Sequence, residues 1–246
     1  MKMEISKLID RKVIGTRIYT ENYENYITYR MKRSPYLVKI PRIINSDISY
    51  LIGFVMGDGN ITLIDRKISA FPRTKINIYN SSMSLLSRVN LTFKENFNIS
   101  GKLWKKKDKN CYVLTFNNKI LWSFFVNVIG LKPKKKKYLE VVRCVKKEDL
   151  FRYFLAGLMD TDGFFTSRTF GIMMNGTNEK FLREISYLSD KFYDIKFLKP
   201  VLSDIIVDGK TYNRVQINLS RHSVRDFVQQ IPLKNEKWAG QDFHLK

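Results

Sequence analysis

The chain has 246 residues, long enough to bury a full core in one large domain or two fused ones. Its 44 basic residues against 23 acidic ones give a net charge of +21 and a pI near 9.9, a field suited to a polyanion such as nucleic acid, with a membrane surface the weaker alternative. No apolar run approaches the roughly 18 residues of a membrane span, no signal-peptide core opens the chain, and the only cysteines, Cys111 and Cys144, lie far apart without histidine neighbours, which predicts free thiols in a reducing intracellular compartment and argues against a zinc site.

Residues 1–45 form a basic extension rich in tyrosine (Tyr19, Tyr23, Tyr26, Tyr29, Tyr36). It reads either as a segment packed on the first half of the chain or as an arm that sets Arg30, Lys32 and Arg33 on phosphates. Ile48, Leu51, Ile52, Val55 and Met56 then share one helical face, with Ser46 as N-cap and Gly59 as a left-handed terminator. From Asn60 the period changes to alternation. Arg73, Lys75, Asn77 and Tyr79 form a polar face without an acid, and Thr74, Ile76 and Ile78 a core face. The polar set suits base edges and phosphates. A helix over 82–97 follows, then a hairpin of 101–107 and 111–117 with Lys102, Trp104 and Lys106 on one face, then a helix over 118–129 stopped by Gly130. Residues 46–130 thus read helix, two strands, helix, two strands, helix.

Residues 131–147, with the run Lys134–Lys137, are a basic linker, and residues 148–246 repeat the same order and add a C-terminal tail. A helix begins near Glu148–Asp149, where acids suit the positive end of its dipole. Short strands over 164–168, ending at Arg168, and over 170–175 come next. A helix over 178–193 is capped by Thr177, and a hairpin turns at Asp208-Gly209. In its second strand Tyr212, Arg214, Gln216 and Asn218 alternate with Asn213, Val215, Ile217 and Leu219, mirroring the pattern at 73–79; Arg pairs naturally with guanine, and Asn or Gln with adenine. A helix over 221–231 closes the half, and the tail 232–246 has no assigned role. His222 and His244 read as surface or packing residues.

One stretch occurs twice: Leu51-Ile52-Gly53-Phe54-Val55-Met56-Gly57-Asp58-Gly59, and Leu155-Ala156-Gly157-Leu158-Met159-Asp160-Thr161-Asp162-Gly163. Gly53 and Gly57 lie four apart on a helical face, and Gly157 and Thr161 repeat that spacing. Small residues there let two helices pack backbone to backbone. In parallel packing, Asp58 and Asp162, 104 residues apart in sequence, meet at a shared C-terminal end and want a divalent cation. Asp-Gly as mere turn chemistry explains one copy better than two in matching contexts. A calcium loop starting at Asp160 fails at Phe164 and Gly171, where it needs an oxygen ligand and a Glu.

The two nonapeptides resemble the LAGLIDADG motifs of homing endonucleases in their single-chain, two-motif form, and the resemblance extends over roughly residues 46–231. It implies an α+β fold of two pseudo-symmetric αββαββα halves that form a DNA-binding β-saddle, with the motif helices packed at the interface. It assigns metal binding and catalysis to Asp58 and Asp162, with the backbone carbonyls of Gly57 and Thr161 as further ligands. Asp160 matches a structural position that Met56 fills in the first copy. The inter-half connection passes beside the active site in the family, so Lys135 or Lys136 is a candidate for stabilising charge at the cut phosphate. Relatives often carry Gln or Lys where the second strand of each half meets its helix; Asn80-Ser81 and Asn175-Gly176 stand there, and slower cleavage is the expectation.

The resemblance therefore implies a monomeric, Mg²⁺-dependent endonuclease that cleaves both strands of a long double-stranded DNA site, inside the cell in cytoplasm, nucleoid or organelle. The chain begins with Met, ends with Lys and lacks a Cys-first, Asn-last frame, which favours an intron-encoded enzyme over one embedded in an intein. Two rivals share the fold: a non-cleaving DNA-binding protein, which typically lacks one or both acids, and an RNA-splicing maturase.

Overall fold

A computed structural model describes residues 18–31, 36–64, 73–107, 109–131, 133, 138–166, 169–175, 179–207 and 209–238. The described part of the N-terminal extension is a three-stranded antiparallel meander, β1 (Ile18–Asn22), β2 (Tyr26–Met31) and β3 (Leu37–Pro41). Ile27, Tyr29, Val38 and Ile40 turn into the main core, and the Asn98 amide donates to Leu37 O at 2.9 Å. The meander is thus packed on the first half. Arg30 is exposed, with its guanidinium over the Tyr19 ring, while Lys32 and Arg33 lie outside the described residues.

The first motif helix, α1 (Ser46–Asp58), starts one residue earlier than expected: Asn45 is the N-cap, and its side chain accepts from Ile48 N at 2.8 Å. Strands β4 (Gly59–Ile64) and β5 (Arg73–Asn80) follow, then α2 (Met83–Phe97), capped by the Ser82 hydroxyl on Leu85 N. β6 (Lys102–Lys105) and β7 (Tyr112–Phe116) complete an antiparallel sheet of order β4-β5-β7-β6. The next helix, α3 (Lys119–Ser123), widens into a π-turn over Phe124–Val128 that periodicity does not reveal. The wide turn lets the adjacent rings of Phe124 and Phe125 both pack against Phe97, and Gly130, at φ 96°, ends it in the left-handed region.

The stretch read as linker contains a helix, α4 (Tyr138–Cys144), anchored by buried Val141 and Val142. The second motif helix, α5 (Glu148–Asp162), leads to β8 (Gly163–Phe165), β9 (Phe170–Asn175) and α6 (Glu179–Tyr193). Then come β10 (Val201–Val207), β11 (Lys210–Asn218), a 3₁₀ turn at Arg221–Ser223 and α7 (Val224–Gln230). The second sheet has the order β8-β9-β11-β10 and repeats the first strand for strand. The fold is α+β, in two similar halves over one continuous core. Cys111 and Cys144 are not joined in a disulfide, His222 is exposed, and no described helix is long and apolar enough to cross a membrane.

The halves meet at α1 and α5, which run parallel with their backbones in contact. A Cβ on Gly53 would overlap Phe154 O and stand 3.0 Å from Leu158 N. One on Gly157 would overlap Tyr50 O and stand 2.8 Å from Phe54 N. The contact is reciprocal, so neither side can yield without the other. Gly59 corrects the sequence reading: it is extended (φ −84°), not left-handed, and Gly163 is extended too (φ −73°). Glycine is needed there because a Cβ would collide with the carbonyl oxygen four residues earlier, Val55 O or Met159 O, as the chain turns straight from helix into strand.

Gly53→Ala should therefore destabilise the protein although alanine is the better helix former by about 1 kcal/mol. We expect a net loss of about 2–3 kcal/mol in urea unfolding, since backbone atoms cannot move aside as a side chain would. Ser87→Ala, on the exposed face of α2, should stay within about 0.5 kcal/mol of the parent.

Candidate functional site

Parallel packing of α1 and α5 brings their last turns side by side. A Cβ on Gly57 would lie 3.2 Å from Asp162 Oδ2 and would overlap the Thr161 hydroxyl, so the two acid-bearing helix ends adjoin. Neither helix has a basic residue in its last turn. Two half-buried carboxylates thus stand at the negative ends of two aligned helix dipoles, a position that costs free energy unless a cation shares it. Asp58 Oδ2 accepts from the Asn80 amide at 2.7 Å, and Asn80 is itself fixed because its Oδ1 accepts from Ser82 N at 2.8 Å. The residue at the first strand–helix junction therefore orients the acid. Thr161 bonds its hydroxyl back to Leu158 O at 2.9 Å. The two carboxylates that adjoin here are hard oxygen donors and fit Mg²⁺, Mn²⁺ or Ca²⁺, while the Thr161 carbonyl faces the Lys237 ammonium at 3.5 Å.

Asp160, two residues before the second acid, has a separate task. It is fully buried and its carboxylate accepts from Tyr50 OH (2.7 Å), Lys234 N (2.9 Å), Asn235 N (3.1 Å) and Trp238 Nε1 (2.8 Å). Burial pushes its carboxyl above the usual range while these donors pull it back. Three of the four are N–H groups that can only donate, so the geometry calls for the ionised form. Burial and the neighbouring Asp160 charge raise the Tyr50 phenol well above its ordinary range, which keeps it a donor.

Apart from Tyr50, the partners of Asp160 come from residues 234–238, inside the tail 232–246 to which the sequence assigned no role. This strap also reaches the first half: Glu236 accepts from Ser84 at 2.8 Å and pairs with Arg88 at 3.4 Å, and the Lys234 ammonium lies 4.3 Å over the Tyr50 ring. Trp238 is buried edge-on to Phe170. Between these anchors Lys237 donates to Gly163 O at 2.8 Å and to Thr161 O at 3.5 Å. Desolvation of its ammonium lowers its pKa, and the charges of Asp160, Asp58 and Asp162 oppose that. Sequence reasoning missed Lys237 because it lies 75 residues from Asp162 with no motif to connect them.

Those of the expected nucleic-acid residues that lie on described strands share the outward faces of the two sheets. On β5, Arg73 is exposed and Lys75 and Tyr79 are half-exposed. Asn77 is on the same face but is buried, its amide oxygen accepting from the Thr115 hydroxyl, to which Trp104 also donates. It is a packed member of that face and not one presented to a ligand. Lys102 and Lys106 are exposed. On β11, Tyr212 is exposed and Arg214, Gln216 and Asn218 are half-exposed; Arg214 Nε lies 3.5 Å from Ser203 Oγ on the neighbouring strand. Val215, Ile217 and Leu219 are buried on the opposite face. Lys135, Lys136 and Arg168 lie outside the described residues.

Residues 45–130 match the model of the LAGLIDADG-like domain. The first half is thus similar to that domain, and the solved structures named next share the fold of the chain. Among solved structures, a mesophilic variant of the homing endonuclease I-DmoI superposes with a TM-score of 0.55 at 22% identity, over 78% of this chain and 95% of the other. I-DmoI in complex with DNA and Mn gives 0.54 at 22%, over 76% and 96%. Two curated proteins are also similar. Glutamine–fructose-6-phosphate aminotransferase of Methanocaldococcus jannaschii is 27% identical over 71% of this chain, and a subunit of the A-type ATP synthase of Pyrococcus abyssi is 25% identical over 74%. The matched stretches span only 15% and 16% of those proteins.

If the adjoining acids bind a cation, Ca²⁺ should raise the thermal midpoint in a saturable way. At a hundred times its dissociation constant the gain is about 2.7 kcal/mol. Asp162→Asn should lose most of that gain in the same calcium titration.

Proposed function

We propose that the chain is a homing-type endonuclease that cuts both strands of a long, asymmetric DNA duplex by Mg²⁺-dependent hydrolysis. The carrying observation is the pair Asp58 and Asp162, set side by side by backbone contact between α1 and α5. Two sheets of the same strand order flank that pair and turn Arg73, Lys75, Arg214 and Gln216 outward, as a saddle in the major groove requires. The charge of +21 supplies long-range attraction to the duplex. The curated relatives fit this reading. An aminotransferase and part of an ATP synthase share no chemistry, yet each matches most of this chain over a small part of its own length. The likeness therefore lies in a segment both carry, as a mobile DNA-cutting module would.

In the reaction, a water oxygen bonds to phosphorus as the bond from phosphorus to the leaving sugar oxygen breaks. The leaving oxygen keeps the electron pair and takes a proton, which balances the one the water gives up. Mg²⁺, when bound, supplies Lewis-acid stabilisation of the developing charge. Asp58 and Asp162 hold the counter-charge for that cation, and Asn80 keeps the Asp58 carboxylate in one orientation. Each half contributes one acid, so a single chain acts as a monomer on both strands.

The test substrate is a duplex spanning the insertion site of the gene. Asp58→Asn and Asp162→Asn should each abolish double-strand cleavage and leave binding within a few-fold of the parent; undiminished cutting by either would refute the assignment. On the same duplex, Arg214→Ala should cost about 1–3 kcal/mol of binding and relax base preference at one or two neighbouring positions. A cleavage profile over all single-base variants reads this out. An equal loss at every variant would make Arg214 a phosphate contact.

A further inference from the structure

Strand register matches the outward positions of the two sheets one to one. Each motif helix enters its first strand at a glycine that pairs with a core residue of the next strand, Gly59 with Ile78 and Gly163 with Ile172. Ile78 pairs in turn with Leu114, and Ile172 with Ile217, all four of them buried. One residue along each strand, side chains point to the opposite, outward face. There the row Tyr79–Val113–Trp104 crosses the first sheet and the row Met173–Gln216–Val201 crosses the second. The two rows stand at equivalent places relative to their motif helices. Both end on an apolar side chain of an edge strand, Trp104 at 41% exposure and Val201 at 49%. Trp104 presents only carbon to a ligand: its one polar group, Nε1, donates to Thr115 Oγ1 at 3.2 Å, and Thr115 donates on to Asn77. Its neighbour Val113, although on the outward face, is fully buried.

We propose that Trp104 and Val201 each cover a thymine methyl group in the major groove, so that the target carries A·T pairs at two matched places, one on each side of the cut. This rests on the endonuclease reading above. Base edges in the major groove carry hydrogen-bond donors and acceptors, and thymine alone adds a methyl group. An apolar side chain gains by burying that methyl, and elsewhere on the edges it strands polar groups without partners. The matched rows differ in their middle residue. On the second sheet Gln216, directly opposite Val201, supplies an amide of the kind that pairs with adenine N6 and N7. On the first sheet Val113 takes that place and offers no hydrogen bond, so reading there rests on the indole of Trp104. The halves thus share the position of an apolar contact and differ in the hydrogen bonding beside it.

The test replaces the thymines of the insertion-site duplex one at a time by uracil, which keeps every hydrogen-bonding group and lacks only the methyl. Affinity in Ca²⁺ is compared for the full-length parent, Trp104→Ala and Val201→Ser. In the parent, at least one replacement on each side of the cut should weaken binding about three- to fivefold, the scale of one buried methyl group. Trp104→Ala should bind thymine and uracil equally at the position on its own side and keep the full penalty on the other. Val201→Ser should do the reverse, and its place on an exposed edge makes it an independent test should Trp104→Ala fold poorly. If Trp104 serves only to cover Val113, Trp104→Ala weakens thymine and uracil duplexes by the same factor, and its role as a thymine contact is overturned. A parental penalty on one side alone overturns the matched pair. A parent indifferent to uracil throughout, on a duplex that it cuts and Asp58→Asn does not, overturns the thymine inference and leaves the endonuclease reading standing. Undiminished cutting by Asp58→Asn overturns that reading, and the inference with it.

Discussion

Everything at the candidate site depends on one contact, the backbone-to-backbone packing of α1 on α5. Gly53 and Gly157 admit no Cβ because each faces the other helix's main chain. Helices held apart by ordinary side chains would lie about 8–10 Å axis to axis or more, with their ends free to splay. Closed onto glycine, they have little freedom left. Their parallel direction sends both C-terminal turns to the same place, and immediate passage into β4 and β8 ties each turn to its own sheet. One packing contact thus fixes the acid pair and the mutual orientation of the two sheets.

That contact also creates the electrostatic problem that defines the site. Two carboxylates at the negative ends of aligned helices sit inside a protein of charge +21. The long-range field welcomes a polyanion, whereas the local field welcomes a cation. A phosphodiester with a divalent ion satisfies both at once. The strap adds a third charge of fixed position, and it is held by the fully buried carboxylate of Asp160. Removing Asp160 alone would strand four donors in the core, so the site and the fold are coupled through that carboxylate.

Both motif helices, the paired hairpins of the two sheets and the acids themselves were legible in the sequence, because period, spacing and repetition all spoke for the same pattern. The outward face of β11 was legible for the same reason: a slip of one residue would bury Arg214 and expose Val215 and Ile217. Other features were not, among them the π-turn after α3 and the helix α4 in the stretch read as linker. The meander at β1–β3 uses tyrosines and isolated apolar residues whose alternation is too short to stand out. Asn77 obeys the period but is covered by Trp104 and Thr115, a cross-strand effect invisible along one strand. Lys237 is the clearest case. Its place is set by tertiary bonds from Asp160 and Glu236, and no local pattern encodes where a tail will dock.

If α1 and α5 create one shared cation site between Asp58 and Asp162, a bound metal must touch both acids. Anomalous diffraction from crystals of the chain with its insertion-site duplex and Mn²⁺ reads this out without relying on activity. Mn²⁺ density should be bonded to both carboxylates, within about 2.0–2.3 Å of their oxygens. Mn²⁺ bound elsewhere, or density touching neither acid in a complex whose DNA is engaged, would contradict the shared site.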